Sequence, residues 1–409
     1  MFINFLEYVY RFFHLTFPTV FTYASTRMML SAITSLLITI FLGPFVIKKL
    51  YSLKIHQTIR GKEECPMLFS LHKKKKDTPT MGGALILFSM LISLFLWMDI
   101  KSTFTLILLG STLWLGLVGG IDDYLKLKYK HSKGMPSKVK FLLQIVFAVF
   151  IAFFLIFPND SIKTKKMKLY PKVLTKHEII KVKNNYSIKK DENKNLTTKE
   201  YMSKLYIPFF KKPIKLKGPL ISISFLLIIF VIVGSSNAVN LTDGLDGLAS
   251  GCLIMVAASF GIISFLSNNI YMAKYLNILY LEGSGEIGIY LFAMAGALLG
   301  FLWYNGYPAQ IFMGDTGSLA LGGIIGISAI LLRREILLAI IGGVFVMEAL
   351  SVILQVLSYR YRNKKRIFLC APLHHHFEYK KMHETKVVLR FWIISLLLAI
   401  IGIASIKFQ

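Results

Sequence analysis

Leu220-Ile-Ser-Ile-Ser-Phe-Leu-Leu-Ile-Ile-Phe-Val-Ile-Val233 runs through Gly234-Ser-Ser236 into Asn237-Ala-Val-Asn-Leu-Thr-Asp-Gly-Leu-Asp-Gly247, and Leu248 to Leu266 is apolar again. In hydrocarbon the backbone must satisfy itself, so an apolar run of about 20 residues crosses a bilayer as a helix. Two such runs flank a knot of two amides, two carboxylates, a hydroxyl and two glycines. Ionisable groups at the mouth of membrane spans are costly to keep and mark function by default. A loop that merely caps two helices accounts for one Asn, Asp or Gly at each helix end. Eleven residues with so many polar groups, and no Lys or Arg among them, exceed that need.

Outward from this pair the chain repeats the pattern. Its 409 residues are 55% hydrophobic, with a mean hydropathy of +0.60. Candidate spans fall at roughly 28–47, 81–98, 103–121, 139–157, 219–236, 247–267, 287–304, 317–332, 336–357 and 387–406. The expected fold is an all-α polytopic membrane protein of about ten transmembrane helices. Residues 1–24 read as an interfacial segment, 25–157 as helices one to four, 158–217 as a basic extracytoplasmic insertion, and 218–409 as helices five to ten. Three scattered cysteines make neither a disulfide framework nor a zinc site.

Charge sets the orientation. The net charge of +27 does not point to nucleic acid: 17 of the 48 Lys and Arg lie in 158–217, and most others flank spans. The loops 48–79, 122–140 and 358–390 carry nine, six and nine basic residues, against one, one and two in 98–102, 268–286 and 333–335. The positive-inside rule then puts the first three loops in the cytoplasm and both termini outside. The basic stretch 158–217 falls outside by count, where a long loop translocates with little regard to charge. Fragments such as Lys172-Val-Leu and Glu178-Ile-Ile-Lys-Val alternate as short strands do. The stretch reads either as a small insertion touching anionic headgroups or as a solvated tether.

The same parity brings the polar clusters to one face. Gly119-Gly-Ile-Asp-Asp-Tyr-Leu-Lys126 ends the third span with paired carboxylates, which sit poorly at the negative end of a helix dipole unless a cation joins them. Magnesium with a phosphate substrate, or one base and one ligand, fits Asp122 and Asp123. Asp315 in Ile311-Phe-Met-Gly-Asp-Thr-Gly-Ser318 is either an N-cap or a carboxylate beside a phosphate-binding helix start, and the roles are compatible. Asp77-Thr-Pro-Thr-Met-Gly-Gly83 follows Lys73 to Lys76 and offers close backbone approach and charge to a pyrophosphate. Ala371-Pro-Leu-His-His-His-Phe-Glu378 is badly spaced for zinc, so its imidazoles suit hydrogen bonds to phosphate or a uridine-like ring. No Walker loop or Gly-x-Ser-x-Gly appears. Carboxylates, amides and Mg²⁺ at a membrane surface point to phosphoryl chemistry between a nucleotide and a lipid. A transporter would need the polar knots at span centres rather than at their ends.

Thr78-Pro-Thr-Met-Gly-Gly83, Asn237 to Gly247, Phe312-Met-Gly-Asp-Thr-Gly-Ser318 and Pro372-Leu-His-His-His-Phe-Glu378 together resemble the polyprenyl-phosphate N-acetylhexosamine-1-phosphate transferase superfamily. The resemblance covers nearly the whole chain apart from 1–24 and 158–217. The histidine string favours the branch that takes UDP-MurNAc-pentapeptide over sister enzymes that take UDP-GlcNAc. The resemblance implies an enzyme of the bacterial inner membrane, usually a homodimer, with a cytoplasmic active site. It would join UDP-MurNAc-pentapeptide to undecaprenyl phosphate with Mg²⁺, giving lipid I and UMP. It also implies catalytic roles for Asp122, Asp123, Asp315 and His374, with Asp315 the metal ligand. Lys75, Thr80, Asn237, Asn240, Asp243, Asp246, Asn305, His375 and His376 would bind substrate. Asp77 stands where the family usually has Gly, and the basic insertion is atypical.

Overall fold

A computed structural model describes residues 12–13, 18–53, 75, 78–129, 134–157, 198–210, 213–216, 218–276 and 278–408. The apolar segments of the sequence are its helices. They are α1 (Ala24–Ser52), α2 (Gly83–Trp97), α3 (Thr103–Tyr129), α4 (Ser137–Ile156), α5 (Ile221–Thr242), α6 (Leu248–Asn268), α7 (Gly285–Asn305), α8 (Gly314–Leu331), α9 (Glu335–Ile341), α10 (Gly343–Tyr361), the short α11 (Leu373–Tyr379) and α12 (Glu384–Ser405). Among the described residues nine helices are long and apolar enough to cross a membrane, and α2 adds a shorter one. The expected all-α polytopic fold is observed.

Two segments depart from regular helices. The span expected at 336–357 is broken into α9 and α10 at Gly342-Gly343, a pair with poor helix propensity. The second span begins late, at Gly83, because the chain before it is irregular, with Met81 left-handed at φ 72°, and is bound to protein. Phe312 N donates to Pro79 O (2.9 Å), Gly82 N to Phe312 O (2.8 Å) and Gly83 N to Met313 O (2.7 Å). Irregular backbone is tolerated at membrane depth only where protein satisfies it in this way.

Packing is set by small residues. Ser31, Ser35, Thr39 and Gly43 recur every fourth residue and form the buried face of α1. Ser31 and Ser35 donate to the Ile289 and Ala293 carbonyls of α7. Lipid gives helices no hydrophobic reason to associate, so close backbone approach and such bonds do the work. α8 is the centre of the bundle: every residue from Thr316 to Leu331 is buried, against α3, α5 and α2.

Most of the basic stretch, 158–197, lies outside the described residues, with the strand fragments expected there. Its final part is docked rather than tethered. A short helix, Thr198–Met202, leads into β1 (Lys204–Leu205), which pairs antiparallel with β2 (Ile214–Lys215) in the register Lys204 to Lys215 and Leu205 to Ile214. Tyr201 Oη donates to the Leu331 carbonyl (2.7 Å), and the buried Arg333, ion-paired with Glu335, donates to the Met202 and Lys204 carbonyls. These anchors lie where α8 ends and α9 begins, the opposite end of the bundle from the polar clusters. Of the interfacial segment expected at 1–24, the structure describes residues 12–13 and 18–24, including a single 3₁₀ turn at Thr19–Thr22.

Candidate active site

The last turns of α3 and α5 and the first turns of α4 and α8 meet at one end of the bundle. Two glycines make the meeting possible. A Cβ on Gly119 of α3 would overlap the Asp315 carbonyl, and one on Gly83 of α2 would overlap the Gly317 backbone. Without side chains there, both helices press against the start of α8. Asp122, Asp123 and Asp315 each offer a carboxylate oxygen within 4.8 Å of the other two.

The three carboxylates are not equivalent. Asp123 accepts from Asp315 N (3.1 Å), Thr316 N (2.9 Å) and Thr316 Oγ1 (2.7 Å), so it caps α8 from a neighbouring helix. Asp122 accepts from Met135 N (2.6 Å) and pairs with Lys126 (2.8 Å) and Lys140 (3.3 Å). Asp315 takes Asn240 Nδ2 on one oxygen (2.7 Å), and Lys126 (2.9 Å) and Lys140 on the other. Asn240 also reaches Ser318 Oγ at 2.9 Å. Two ammoniums against three carboxylates leave the cluster one negative charge, and all its donors are hard oxygens. That set suits a magnesium ion, which takes few carboxylates and fills its shell with water and phosphate.

Asp243, just past the end of α5, completes this wall. Its carboxyl is pushed up to about 7, first by burial and then by the charges of Asp315 and Asp123, with Asp246 adding less and the Gly314 N–H opposing. Thr80 Oγ1 lies against Gly314, whose backbone is left-handed at φ 74°.

A second group flanks the first. Lys75 Nζ is held between Asp246 (2.6 Å) and Glu384 (2.5 Å), Asp246 N donates to Glu384 (2.9 Å), and Ala309 N donates to Asp246 (3.0 Å). Asn305 spends its whole amide inside the protein, accepting from Gly247 N and Ser250 Oγ and donating to the Ile311 carbonyl. It holds two turns together. Asn237 lies one helical turn before Asn240 and donates to Gln144 of α4 and to the Val233 carbonyl.

The histidines take different partners, although the His374 and His375 ring centroids lie 4.2 Å apart. His374 is buried against Glu348 of α10, His375 bonds Glu378 (2.6 Å), and His376 accepts from Leu369 N (3.1 Å) with its ring edge-on to Phe368. His374 touches the Asn237 to Gly247 turn, at Gly244.

Asp122, Asp123, Asp315, Asn240, Asp243 and Thr80 therefore converge, while Lys75, Asp246 and Asn305 form the adjoining shoulder. Asp77 and Lys73, Lys74 and Lys76 lie outside the described residues. Sequence reasoning missed Lys126, Lys140, Thr316, Glu348 and Glu384. Lys126 was legible, three and four residues past the aspartates on one helix face. The other four meet their partners from distant segments, and no local spacing announces them.

Residues 105–333 match the model for glycosyl transferase family 4, and residues 75–87 match phospho-N-acetylmuramoyl-pentapeptide-transferase signature 1. The chain is 61% identical over 408 residues to the phospho-N-acetylmuramoyl-pentapeptide-transferase of Protochlamydia amoebophila, covering 99% of each. It is 43% identical over 394 residues to that of Endomicrobium trichonymphae, covering 95% of each. With that of Desulfotalea psychrophila the identity is 42% over 406 residues, 97% of this chain and 100% of the relative.

Proposed function

The chain belongs to the phospho-N-acetylmuramoyl-pentapeptide-transferase family, and from that premise we propose that it transfers phospho-MurNAc-pentapeptide from UDP-MurNAc-pentapeptide to undecaprenyl phosphate. The products are lipid I and UMP, formed at the cytoplasmic face of a bacterial inner membrane. The observation that carries the reading is the carboxylate cluster at the ends of α3 and α8, where a water-borne nucleotide and a membrane-borne phosphate can meet.

The reaction asks little covalent chemistry of the protein. A lipid monophosphate is mostly ionised at neutral pH and is itself the nucleophile, so direct attack on the sugar-bound phosphorus needs positioning and charge neutralisation rather than a strong base. Asp123 is committed to three donors of α8 and serves as a positioning carboxylate. Asp315, with Asp122 beside it, is the proposed holder of Mg²⁺, which would neutralise pyrophosphate charge and stabilise departing UMP. Lys126 and Lys140, which span the cluster here, would be free to meet the incoming phosphates if the carboxylates held the metal. The Lys75 shoulder and Asn240 support the nucleotide side. We further propose a homodimer, on the family resemblance alone; native mass spectrometry from nanodiscs tests it.

The deciding experiment supplies purified protein with undecaprenyl phosphate, Mg²⁺ and either UDP-MurNAc-pentapeptide or UDP-GlcNAc, and measures UMP. Release with the first and none with the second is expected. Release with UDP-GlcNAc alone would overturn the assignment. Phosphate transferred to the protein without lipid would overturn direct attack.

A further inference from the structure

Glu348 is fully buried in α10, and no role in the reaction above falls to it. Its two oxygens both face His374. Oε1 accepts the His374 backbone N–H at 3.1 Å, and Oε2 lies 3.1 Å from His374 Nδ1. A carboxylate offers only lone pairs, so Nδ1 must carry a hydrogen and donate it. The neutral ring then has a bare Nε2.

The far side of the ring agrees. Nε2 is buried and has no hydrogen-bond partner. It faces the α-carbon of Gly244 so closely that a Cβ built there would overlap it. The Gly244 hydrogen on that side points at the nitrogen. A lone pair accepts such a C–H as a weak hydrogen bond, whereas an N–H would drive one hydrogen into another. The two sides of the imidazole thus specify the same tautomer independently.

Gly244 sits between Asp243 and Asp246, inside the turn that carries both. We propose that Glu348 is a positioning residue: it fixes His374 in the Nδ1–H form as a prop beneath Gly244, and through that turn it places Asp243 and Asp246 on the nucleotide-sugar side of the site. His374, 1% exposed, acts in this state through the turn rather than by touching substrate. The substrate arm of the proposal rests on the transferase reading; the tautomer does not.

Glu348→Gln tests it. Glutamine has one acceptor oxygen for the two donors of His374, so its NH₂ is turned toward one of them. The backbone N–H cannot change, but the ring can. The tautomer moves to Nε2–H, whose hydrogen displaces Gly244. Histidine-selective ¹⁵N spectra of the full-length protein in nanodiscs, with His374 assigned by loss of its signals in His374→Gln, should show Nδ1–H in the wild type and Nε2–H in Glu348→Gln. The KM for UDP-MurNAc-pentapeptide should rise about tenfold, as when other groups that orient a histidine are removed, while the KM for undecaprenyl phosphate stays unchanged. Glu348→Asp keeps the carboxylate and should retain the Nδ1–H signal and part of the wild-type KM.

A wild-type Nε2–H or imidazolium signal at neutral pH would overturn the proposal. So would an equal loss toward both substrates, or unchanged kinetics in a folded Glu348→Gln. If that variant does not fold, the wild-type spectrum and the kinetics of Glu348→Asp decide. Absence of UMP release from the wild type would sink the transferase reading and leave the spectrum to judge the tautomer.

Discussion

Asp122 and Asp123 are chain neighbours with different work, and the difference is measurable. Asp123 satisfies two backbone N–H groups and a hydroxyl at the start of α8, so Asp123→Ala leaves three donors without their acceptor. Loss of a cap costs about 1 kcal/mol, and each buried orphan adds to it. Asp123→Ala should therefore lower the melting temperature as well as abolish UMP release. Asp122→Ala leaves one backbone donor, Met135 N, without its acceptor, and two flexible lysines that can turn to water; it should abolish release with a smaller thermal shift. Equal melting losses in the two variants would refute the division.

Asp243 gives a pH signature at the same scale. Its carboxyl is raised from 3.8 to about 7, so between those values the folded protein binds a proton that the unfolded chain has released. Stability of the metal-free protein should fall as pH rises through that window and level off above it, and Asp243→Asn should flatten the slope. Melting curves in detergent with EDTA at a series of pH values check this. Residue roles of this kind were only partly legible in sequence. The carboxylates and amides announced themselves as costly groups beside membrane spans, but what holds each one came from segments far away in the chain, as Lys140 and Glu384 show.

At the scale of elements, the fold was legible wherever an apolar run was long enough to cross. Nine helices met that test among the described residues, and the tenth was shorter because Thr78 to Gly82 is irregular and bonded to Phe312 and Met313 instead. The sequence could not show that break, because its cause is Phe312 and Met313, more than two hundred residues away. Nor did hydropathy separate α9 from α10, since glycines interrupt a helix without making it polar. The element interaction that matters most is the contact of α3 with the start of α8. Gly119→Val would force the Asp315 carbonyl and α3 apart. Overpacking of this kind costs about 1–3 kcal/mol, and here it would also spread the carboxylates. We expect a modest fall in melting temperature with loss of at least about 99% of UMP release, the size of effect that misplacement by about 1 Å produces. Gly110→Val, on the same helix with open space around it, is the control and should leave both unchanged.

For the molecule as a whole, the physical point is that the carboxylates, amides and histidines of the candidate site all lie at one end of the bundle. The ends of α1, α3, α5, α7 and α10 and the starts of α2, α4, α6, α8 and α12 share that end, as an alternating series of crossings requires, with α9 and α10 counted as one. The opposite end carries the docked hairpin and Arg333. The short loops assign the polar end to the cytoplasm, because those rich in Lys and Arg resist translocation. A labelling experiment follows, first replacing Cys65 and the half-exposed Cys370 by Ser to clear the background, with Cys252 buried. A cysteine at the exposed Lys364, between α10 and α11, should react with a membrane-impermeant maleimide only after the inner face is opened. A cysteine at Tyr271, 80% exposed beyond the end of α6, should react in intact spheroplasts. The reverse pattern would put the carboxylates outside, where the nucleotide-sugar is not made, and would separate the enzyme from its soluble substrate. Reaction of both from the same side would contradict the crossing count itself. Because the two sites differ by an odd number of crossings, this pair of labels tests the fold and the orientation together.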